Sequence, residues 1–246
     1  MYLLTGLFFT GCATGGPTHL YMAGDGGSPI VDRDLAGTEH DELDGLLEAD
    51  AVVVGVGYEY NTDYIWLRLA PGDRLIAVKR SIRDVWYDYA LPAEFAAPEG
   101  ETVALDLAVR SFNRMVYAAL PATGVVGKVA RYGDPRERFV PGGEPRPIGG
   151  LAWDQVSDRL LVLFADHGEV VAFENETDPV HRVTLQAAVD ATTLAYDSNR
   201  QRYYVPLRGE RVLGEFDLDG RLVGRLPWPE GARAIDAGQR SLVRVF

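Results

Sequence analysis

One pattern recurs along this chain: an apolar stretch, an aromatic residue, an acidic residue, a short polar turn and a second apolar stretch. Its clearest copies are VGYEYNTDYIWLRL at 56–69, GLAWDQVSDRLLVLF at 150–164 and TLAYDSNRQRYYVPL at 193–207. Weaker copies are LDLAVRSFNRMVYAAL at 105–120 and AIDAGQRSLVRVF at 234–246. If Tyr58, Ala108, Trp153 and Tyr196 are equivalent, the spacings are 50, 45 and 43 residues. A period of this length predicts an array of similar structural units.

The units are predicted to consist of strands rather than helices. Segments such as RLLVLF and RYYVPL are short and rich in β-branched and aromatic residues, which favours strands. A turn with glycine follows the second apolar stretch of four copies, at Gly72, Gly124, Gly168 and Gly209. Glycine readily adopts the positive φ that tight hairpins require.

Antiparallel four-stranded units with a period of ~40–50 residues are typical of β-propeller blades. The segment at 19–35 indicates a second and a third strand joined around Gly26 and Gly27, and the chain ends on another strand-like segment. Strands from both termini are expected to pair, which closes the ring and removes exposed sheet edges. We predict an all-β propeller with five four-stranded blades, and six blades as the alternative. The acidic stretch at 39–50 is interpreted as an inter-blade loop.

The charge and the cysteine content exclude several functions. The formal net charge is −12, from 36 acidic residues against 24 lysines and arginines. A surface of that sign repels the phosphate backbone of nucleic acids and is not attracted to anionic lipids. We therefore predict no nucleic-acid partner. With Cys12 as its single cysteine, the chain forms neither an internal disulfide nor a thiolate metal cluster.

The amino terminus has features of a bacterial lipoprotein signal. Residues 2–9, YLLTGLFF, form an apolar run that is too short to span a bilayer, which takes ~20 residues. The run has the size of a signal-peptide core and leads into Phe9-Thr10-Gly11-Cys12. This tetrapeptide resembles the lipobox, although Phe9 stands where leucine is usual and no lysine or arginine precedes the run. The alternative is a buried first strand with Cys12 as a small apolar residue.

The lipoprotein resemblance implies three segments: a signal peptide at 1–11, a flexible lipid tether at 12–18 and one propeller domain at 19–246. It also implies acylation of Cys12 and, because Ala13 follows the cysteine, an outer-membrane location facing the periplasm. The membrane is then a partner through the lipid anchor.

The body resembles the broad class of YncE-like, NHL-like and SMP-30-like propellers, through its blade pattern rather than a diagnostic motif. Such a resemblance implies fold far more than activity. SMP-30-like lactonases hold a divalent cation in the central channel. By that resemblance, the candidate ligands for Ca²⁺ or Mg²⁺ are Glu59, Asp106, Asp154 and Asp197. The same acids are also explained as hydrogen-bond acceptors in turns, and their recurrence in each copy favours that explanation.

Trp86, in DVWYDYALP at 84–92, is the candidate for ligand contact. In a regular strand, Val85 and Tyr87 face one side and Trp86 faces the other, between two aspartates. An exposed Trp86 is suited to stacking on a sugar ring or anchoring a peptide. Alternatively, it packs against a neighbouring blade.

No catalytic motif is recognisable, and we predict no cofactor. The turn Asp166-His167-Gly168-Glu169 holds three potential metal ligands, but it lies where other copies have a hairpin. The sequence therefore favours a cell-envelope lipoprotein whose propeller is a non-enzymatic binding platform. Its ligand is an envelope protein, a small molecule or a glycan. The alternative is a metal-dependent lactonase or related hydrolase with its site in the channel.

Overall fold

The computed structural model describes residues 16–25, 30–43, 45–70, 73–96 and 105–239. In these residues, twenty strands form five four-stranded antiparallel sheets. The sheets are the blades of a five-bladed β-propeller. The all-β prediction is confirmed, with five blades rather than six.

Blade 1 contains β1 (Thr18–Gly24), β2 (Ile30–Asp34), β3 (Glu39–Leu43) and β20 (Ala232–Gln239). Blade 2 contains β4 (Val52–Glu59), β5 (Tyr64–Ala70), β6 (Arg74–Lys79) and β7 (Asp84–Ala90). Blade 3 contains β8 (Leu107–Arg110), β9 (Met115–Leu120), β10 (Val125–Ala130) and β11 (Pro135–Phe139). Blade 4 contains β12 (Ile148–Asp154), β13 (Arg159–Phe164), β14 (Glu169–Glu174) and β15 (Asp178–Thr184). Blade 5 contains β16 (Ala195–Asp197), β17 (Arg202–Pro206), β18 (Val212–Phe216) and β19 (Leu222–Pro227).

The inner strands β20, β4, β8, β12 and β16 contact one another around the propeller axis, and the outer strands β3, β7, β11, β15 and β19 form the rim. Helical structure in the described residues consists of three short 3₁₀ turns, at Arg80–Ile82, Ala93–Phe95 and Pro121–Thr123. None of these helices has the length and apolarity to cross a membrane.

The ring closes within blade 1. Strand β20 pairs antiparallel with β1, with Thr18 opposite Gln239 and Met22 opposite Ile235. The inner strand of this blade therefore comes from the carboxyl-terminal part of the chain and its other three strands from the amino-terminal part, which confirms the predicted closure. The strand-like segment at 241–246 lies outside the described residues.

The interpretation of 39–50 as a loop is wrong for its first five residues, which form β3. Leu43 lies opposite Ile30 of β2, and both side chains are buried. Pairing to an existing strand and burial of Leu43 outweigh the acidic composition of the segment.

The first hairpins of blades 2 to 5 share one backbone geometry. The last turn residue before the second strand is left-handed in each, with φ of 59° at Asp63, 60° at Arg114, 56° at Asp158 and 54° at Gln201. Glycine has the positive φ predicted in the second hairpins of blades 3, 4 and 5, at Gly124, Gly168 and Gly209. Gly72 of blade 2 lies outside the described residues.

This common geometry corrects the sequence alignment of blade 3 by one residue. Val109 lies opposite Val116 one pair before the turn, as Trp153 lies opposite Leu160 in blade 4. Val109, and not Ala108, is therefore the equivalent of the aromatic residue of the other blades. The error arose because blade 3 lacks that aromatic, so no side chain marked the position.

Every outer strand carries a β-bulge at the same place. In each blade one residue near the start of the outer strand has no partner opposite it, and the register shifts there. The unpaired residues, all exposed, are His40, Trp86, Arg136, Val180 and Val223. A bulge twists an edge strand and makes it a poor partner for another sheet.

The blades pack face to face through large side chains and glycines. Tyr117 of blade 3 stacks on Trp153 of blade 4, with ring centroids 4.8 Å apart. At Gly57 in β4, a Cβ atom would lie 2.4 Å from Leu107 Cδ1 of the next blade. The absence of a side chain at this position lets the inner strands of blades 2 and 3 approach closely.

Candidate functional site

A buried carboxyl group ties three blades together at the axis. Asp106 Oδ2, just before β8, accepts hydrogen bonds from the backbone N–H of Leu151 in blade 4 and of Leu194 in blade 5, both at 3.0 Å. The Thr193 hydroxyl lies 3.2 Å from the same oxygen. Asp106 is fully buried, so its position on the axis is part of the core.

Burial raises the pKa of Asp106 well above its usual value. Asp236, on β20, is a second buried carboxyl near the axis, and its charge raises the pKa of Asp106 further. Asp236 Oδ2 accepts a hydrogen bond of 2.6 Å from the Tyr58 N–H, and burial raises the pKa of Asp236 to about 7. No sequence pattern indicated the Asp236 contact, because Tyr58 is 178 positions away along the chain.

The cup face is the end of the propeller that carries the first hairpin turns, at 60–63, 111–114, 155–158 and 198–201. A cavity of about 360 Å³, the axial cup, lies among these turns and the end of β20. All five blades contribute to it, and its wall includes Tyr58, Ser111, Phe112, Gln155, Tyr196 and Asn199. Its volume is within the range of ~300–1,000 Å³ typical of small-molecule sites.

Hydrogen bonds from blade to blade fix the wall of the axial cup. The Tyr60 N–H donates to Ser111 Oγ at 3.0 Å, and the Ser111 N–H donates to Gln155 Oε1 at 3.2 Å. The Gln155 N–H donates to Ser198 Oγ at 3.0 Å. Because four successive blades are linked in this way, the cup is formed before any ligand arrives, which reduces the entropic cost of binding.

The lining of the axial cup combines aromatic and neutral polar side chains with one acidic group. Asp197 is the one acidic or basic side chain among the described residues that line it, and burial raises the pKa of the adjacent Tyr196 above its ordinary value. The side chains of Tyr60 and Asn199 make no hydrogen bond to another described residue and are available to a ligand. Phe112 and Val156, on neighbouring turns, are 86% and 68% exposed.

Three of the four proposed metal ligands accept hydrogen bonds from groups of their own hairpins. Glu59 Oε2 accepts a 3.0 Å hydrogen bond from the Trp66 indole. Asp154 Oδ1 accepts from the Val156 N–H at 3.0 Å, and Asp197 Oδ1 accepts from the Asn199 N–H, also at 3.0 Å. The predicted turn contacts are therefore present at Asp154 and Asp197, whereas Glu59 accepts from a side chain of the paired strand.

Asp106, the fourth proposed ligand, precedes its inner strand, whereas the other three end theirs. Among the described residues, no group of three histidines, cysteines or acids is placed to hold a metal ion. In the Asp166–Glu169 turn, both carboxylates are hydrogen bonded to Arg146.

Trp86 is exposed, at 53% of its surface, because it is the unpaired residue of the bulge in β7. The bulge also makes one prediction wrong. Val85 packs with the core between blades 1 and 2, whereas Tyr87 packs with the core between blades 2 and 3. The two residues therefore face opposite sides, because the extra residue interrupts the alternation. The ring of Trp86 lies 5.9 Å from that of Tyr64.

Apart from Asp197, the residues of the axial cup were missed by sequence reasoning, and Cys12 lies outside the described residues. Turn residues are usually solvated, so the turns gave no reason to expect a shared wall. The one available signal was an apolar residue at the second turn position of two copies, Phe112 and Val156.

Comparison with known proteins identifies the fold but assigns no family. No protein-family model matches the chain, and no curated protein matches it. A chain in the crystal structure of a nidogen/laminin complex is similar with a TM-score of 0.61 and 11% identity, over 91% of this chain and 99% of that one. A protein of unknown function from Bacteroides caccae is similar with a TM-score of 0.56 and 15% identity, over 90% and 99%. This chain shares their fold. At these identities the similarity carries no statement about ligand or activity.

Proposed function

We propose that this protein is a lipid-anchored, non-enzymatic binding protein of the cell envelope, and that its ligand occupies the axial cup. The observation that carries the proposal is the cup itself, a cavity to which all five blades contribute and whose wall is fixed by inter-blade hydrogen bonds. A site at the junction of all the blades is formed only by the complete propeller.

The lining indicates the kind of ligand. Aromatic rings at Tyr58 and Tyr196 and neutral hydrogen-bonding groups at Tyr60 and Asn199 surround the cup. A ligand with an apolar ring and one or two polar groups satisfies both kinds of surface. A strongly anionic ligand is disfavoured by the net charge of −12 and by Asp197 in the wall.

A neutral fluorescent probe, N-phenyl-1-naphthylamine, tests the axial cup directly. We expect saturable binding by the full chain carrying Cys12→Ser, and a roughly tenfold weaker affinity when Asn199→Trp fills the cup. Asn199 is exposed and uses only its backbone in the turn, so the variant is expected to fold. The matched control is His167→Trp on the opposite end of blade 4, which should bind as before. Equal binding by both tryptophan variants, or no binding by the parent, would refute the proposal.

The lipid anchor is tested separately. We expect the wild-type protein to enter the detergent phase on Triton X-114 partitioning and Cys12→Ser to stay in the aqueous phase, because two acyl chains give stable membrane attachment. Aqueous behaviour of both proteins would contradict the anchor without affecting the proposal for the cup.

A further inference from the structure

The exposed apolar side chains are concentrated at one end of the propeller. Seven large apolar side chains are exposed among the described residues: Ile82, Trp86, Phe112, Tyr132, Val156, Val180 and Val223. Four of them lie in turns at the cup face, and three lie within the first three residues of an outer strand that starts there. The described turns at the opposite end contain none. Phe112 and Val156 lie together at the axial cup, and grouped exposed apolar side chains mark protein or membrane interaction sites.

The excess of acidic residues in the turns lies at the other end of the propeller, away from the exposed apolar side chains. The turns at the cup face carry six acids and six bases, at 35–38, 60–63, 80–83, 111–114, 131–134, 155–158, 175–177, 198–201 and 217–221. The described turns and connections at the opposite end carry eleven acids and three bases, at 25, 45–51, 73, 91–96, 105–106, 121–124, 140–147, 165–168, 185–194, 207–211 and 228–231. Much of the net negative charge is therefore remote from the cup face. Anionic headgroups would repel the opposite end more strongly than the cup face.

The path of the chain connects the proposed anchor to the same end. Strand β1 begins at Thr18, opposite Gln239, and Gln239 lines the axial cup. Five residues lie between Cys12 and Thr18, and even a fully extended chain across these six steps spans only roughly 20 Å. An acyl chain on Cys12 would hold the cup face close to the membrane.

We infer that the cup face lies against the lipid bilayer, with Phe112 and Val156 reaching into the interface. This inference rests on the anchor proposed at Cys12. Trp86 and Tyr132 lie at the same end, and aromatic residues with a polar group favour the headgroup region. In this orientation the axial cup opens toward the headgroups, and a neutral ligand reaches it from the membrane side.

A fluorescent label on each end of one propeller tests the orientation. With Cys12 acylated, Phe112→Cys and His167→Cys each provide a single free thiol for an NBD fluorophore, and both positions are exposed. The acylated full chain is reconstituted on vesicles of phosphatidylethanolamine and phosphatidylglycerol containing a nitroxide-labelled lipid. We expect a blue shift and roughly threefold stronger quenching at position 112 than at position 167.

The failure of the anchor and the failure of the orientation give different results. Protein that does not float with the vesicles overturns both proposals. Protein that floats, with both labels equally exposed to water, overturns the orientation alone and assigns the apolar face to a protein partner instead. Val156→Cys provides a second label at the cup face, in the same blade as His167, and should behave like position 112.

Discussion

The Asp106 carboxylate and the Thr193 hydroxyl are 3.2 Å apart, although 87 residues separate them in the chain. This contact joins blade 3 to blade 5. Asp106 also accepts hydrogen bonds from two backbone N–H groups, so this one side chain connects the inner parts of three blades.

The first prediction concerns that side chain. Asp106→Ala leaves the buried N–H groups of Leu151 and Leu194 without an acceptor, and each costs ~1–3 kcal/mol. We expect a loss of ~3–5 kcal/mol in the free energy of unfolding, measured by urea denaturation. Asp106→Asn keeps one oxygen for these donors and should cost less than ~2 kcal/mol. Equal losses in the two variants would show that the hydrogen bonds are not what Asp106 contributes.

The second prediction concerns Asp236, whose pKa is raised from 3.8 to about 7 by burial. A carboxyl group with a raised folded-state pKa binds more protons in the folded than in the unfolded protein. Its contribution to stability is therefore complete below pH ~4 and is lost as the pH rises to ~7, by about 1.4 kcal/mol per pH unit. Asp236→Asn removes this dependence and still offers an oxygen to the Tyr58 N–H. We expect the stability of wild type relative to the variant to fall between pH 4.5 and 8; parallel profiles would contradict the shift.

The third prediction uses the left-handed residue of the fifth blade's first hairpin. Gln201 has φ of 54° and is exposed, and a side chain in this conformation costs ~1 kcal/mol. Gln201→Gly should stabilise the protein by ~0.5–1 kcal/mol, whereas Gln201→Val, β-branched, should destabilise it by at least ~1 kcal/mol. Thermal unfolding distinguishes the two, and a shift of the same sign in both variants would contradict the assigned backbone.

The fourth prediction concerns Trp86. Trp66 and Trp153 are buried, and Trp228 is partly buried, so most of the fluorescence accessible to acrylamide should come from Trp86. If Trp86 binds a glycan, titration with a chito-oligosaccharide changes the emission of wild type and of Trp228→Phe but not of Trp86→Ala. A response that survives in Trp86→Ala would show that the sugar binds elsewhere.

The fifth prediction concerns the alternative function as a metal-dependent hydrolase. Glu59, Asp154 and Asp197 are held by groups of their own hairpins, so we expect millimolar Ca²⁺ or Mg²⁺ to leave the unfolding temperature unchanged. A ligand that binds only the folded state raises that temperature. A metal-dependent rise that is lost in Asp154→Asn would restore the hydrolase interpretation.

Local patterns gave a large part of the fold. The period of the repeat, the strand-like segments and the glycines of the second hairpins depend on contacts between near neighbours, which leave a trace in the sequence. Three features of the fold leave no such trace: the offset of Val109, the bulge at Trp86 and the burial of Leu43. Each is decided by the strand that pairs alongside it. A bulge in particular has no obligatory residue type, as His40 and Val223 at equivalent positions show.

The sequence by itself determined that this chain forms repeated four-stranded antiparallel units and that its ends combine in one of them. The tertiary structure decided which side chains meet at the axis, where Asp106 and Asp236 are buried, and that turns from four blades and the end of β20 enclose one cup. The physical reason is distance along the chain. A hairpin is stabilised by residues a few positions apart, whereas the cup and the axis exist only where segments from different blades are brought together by closure of the ring.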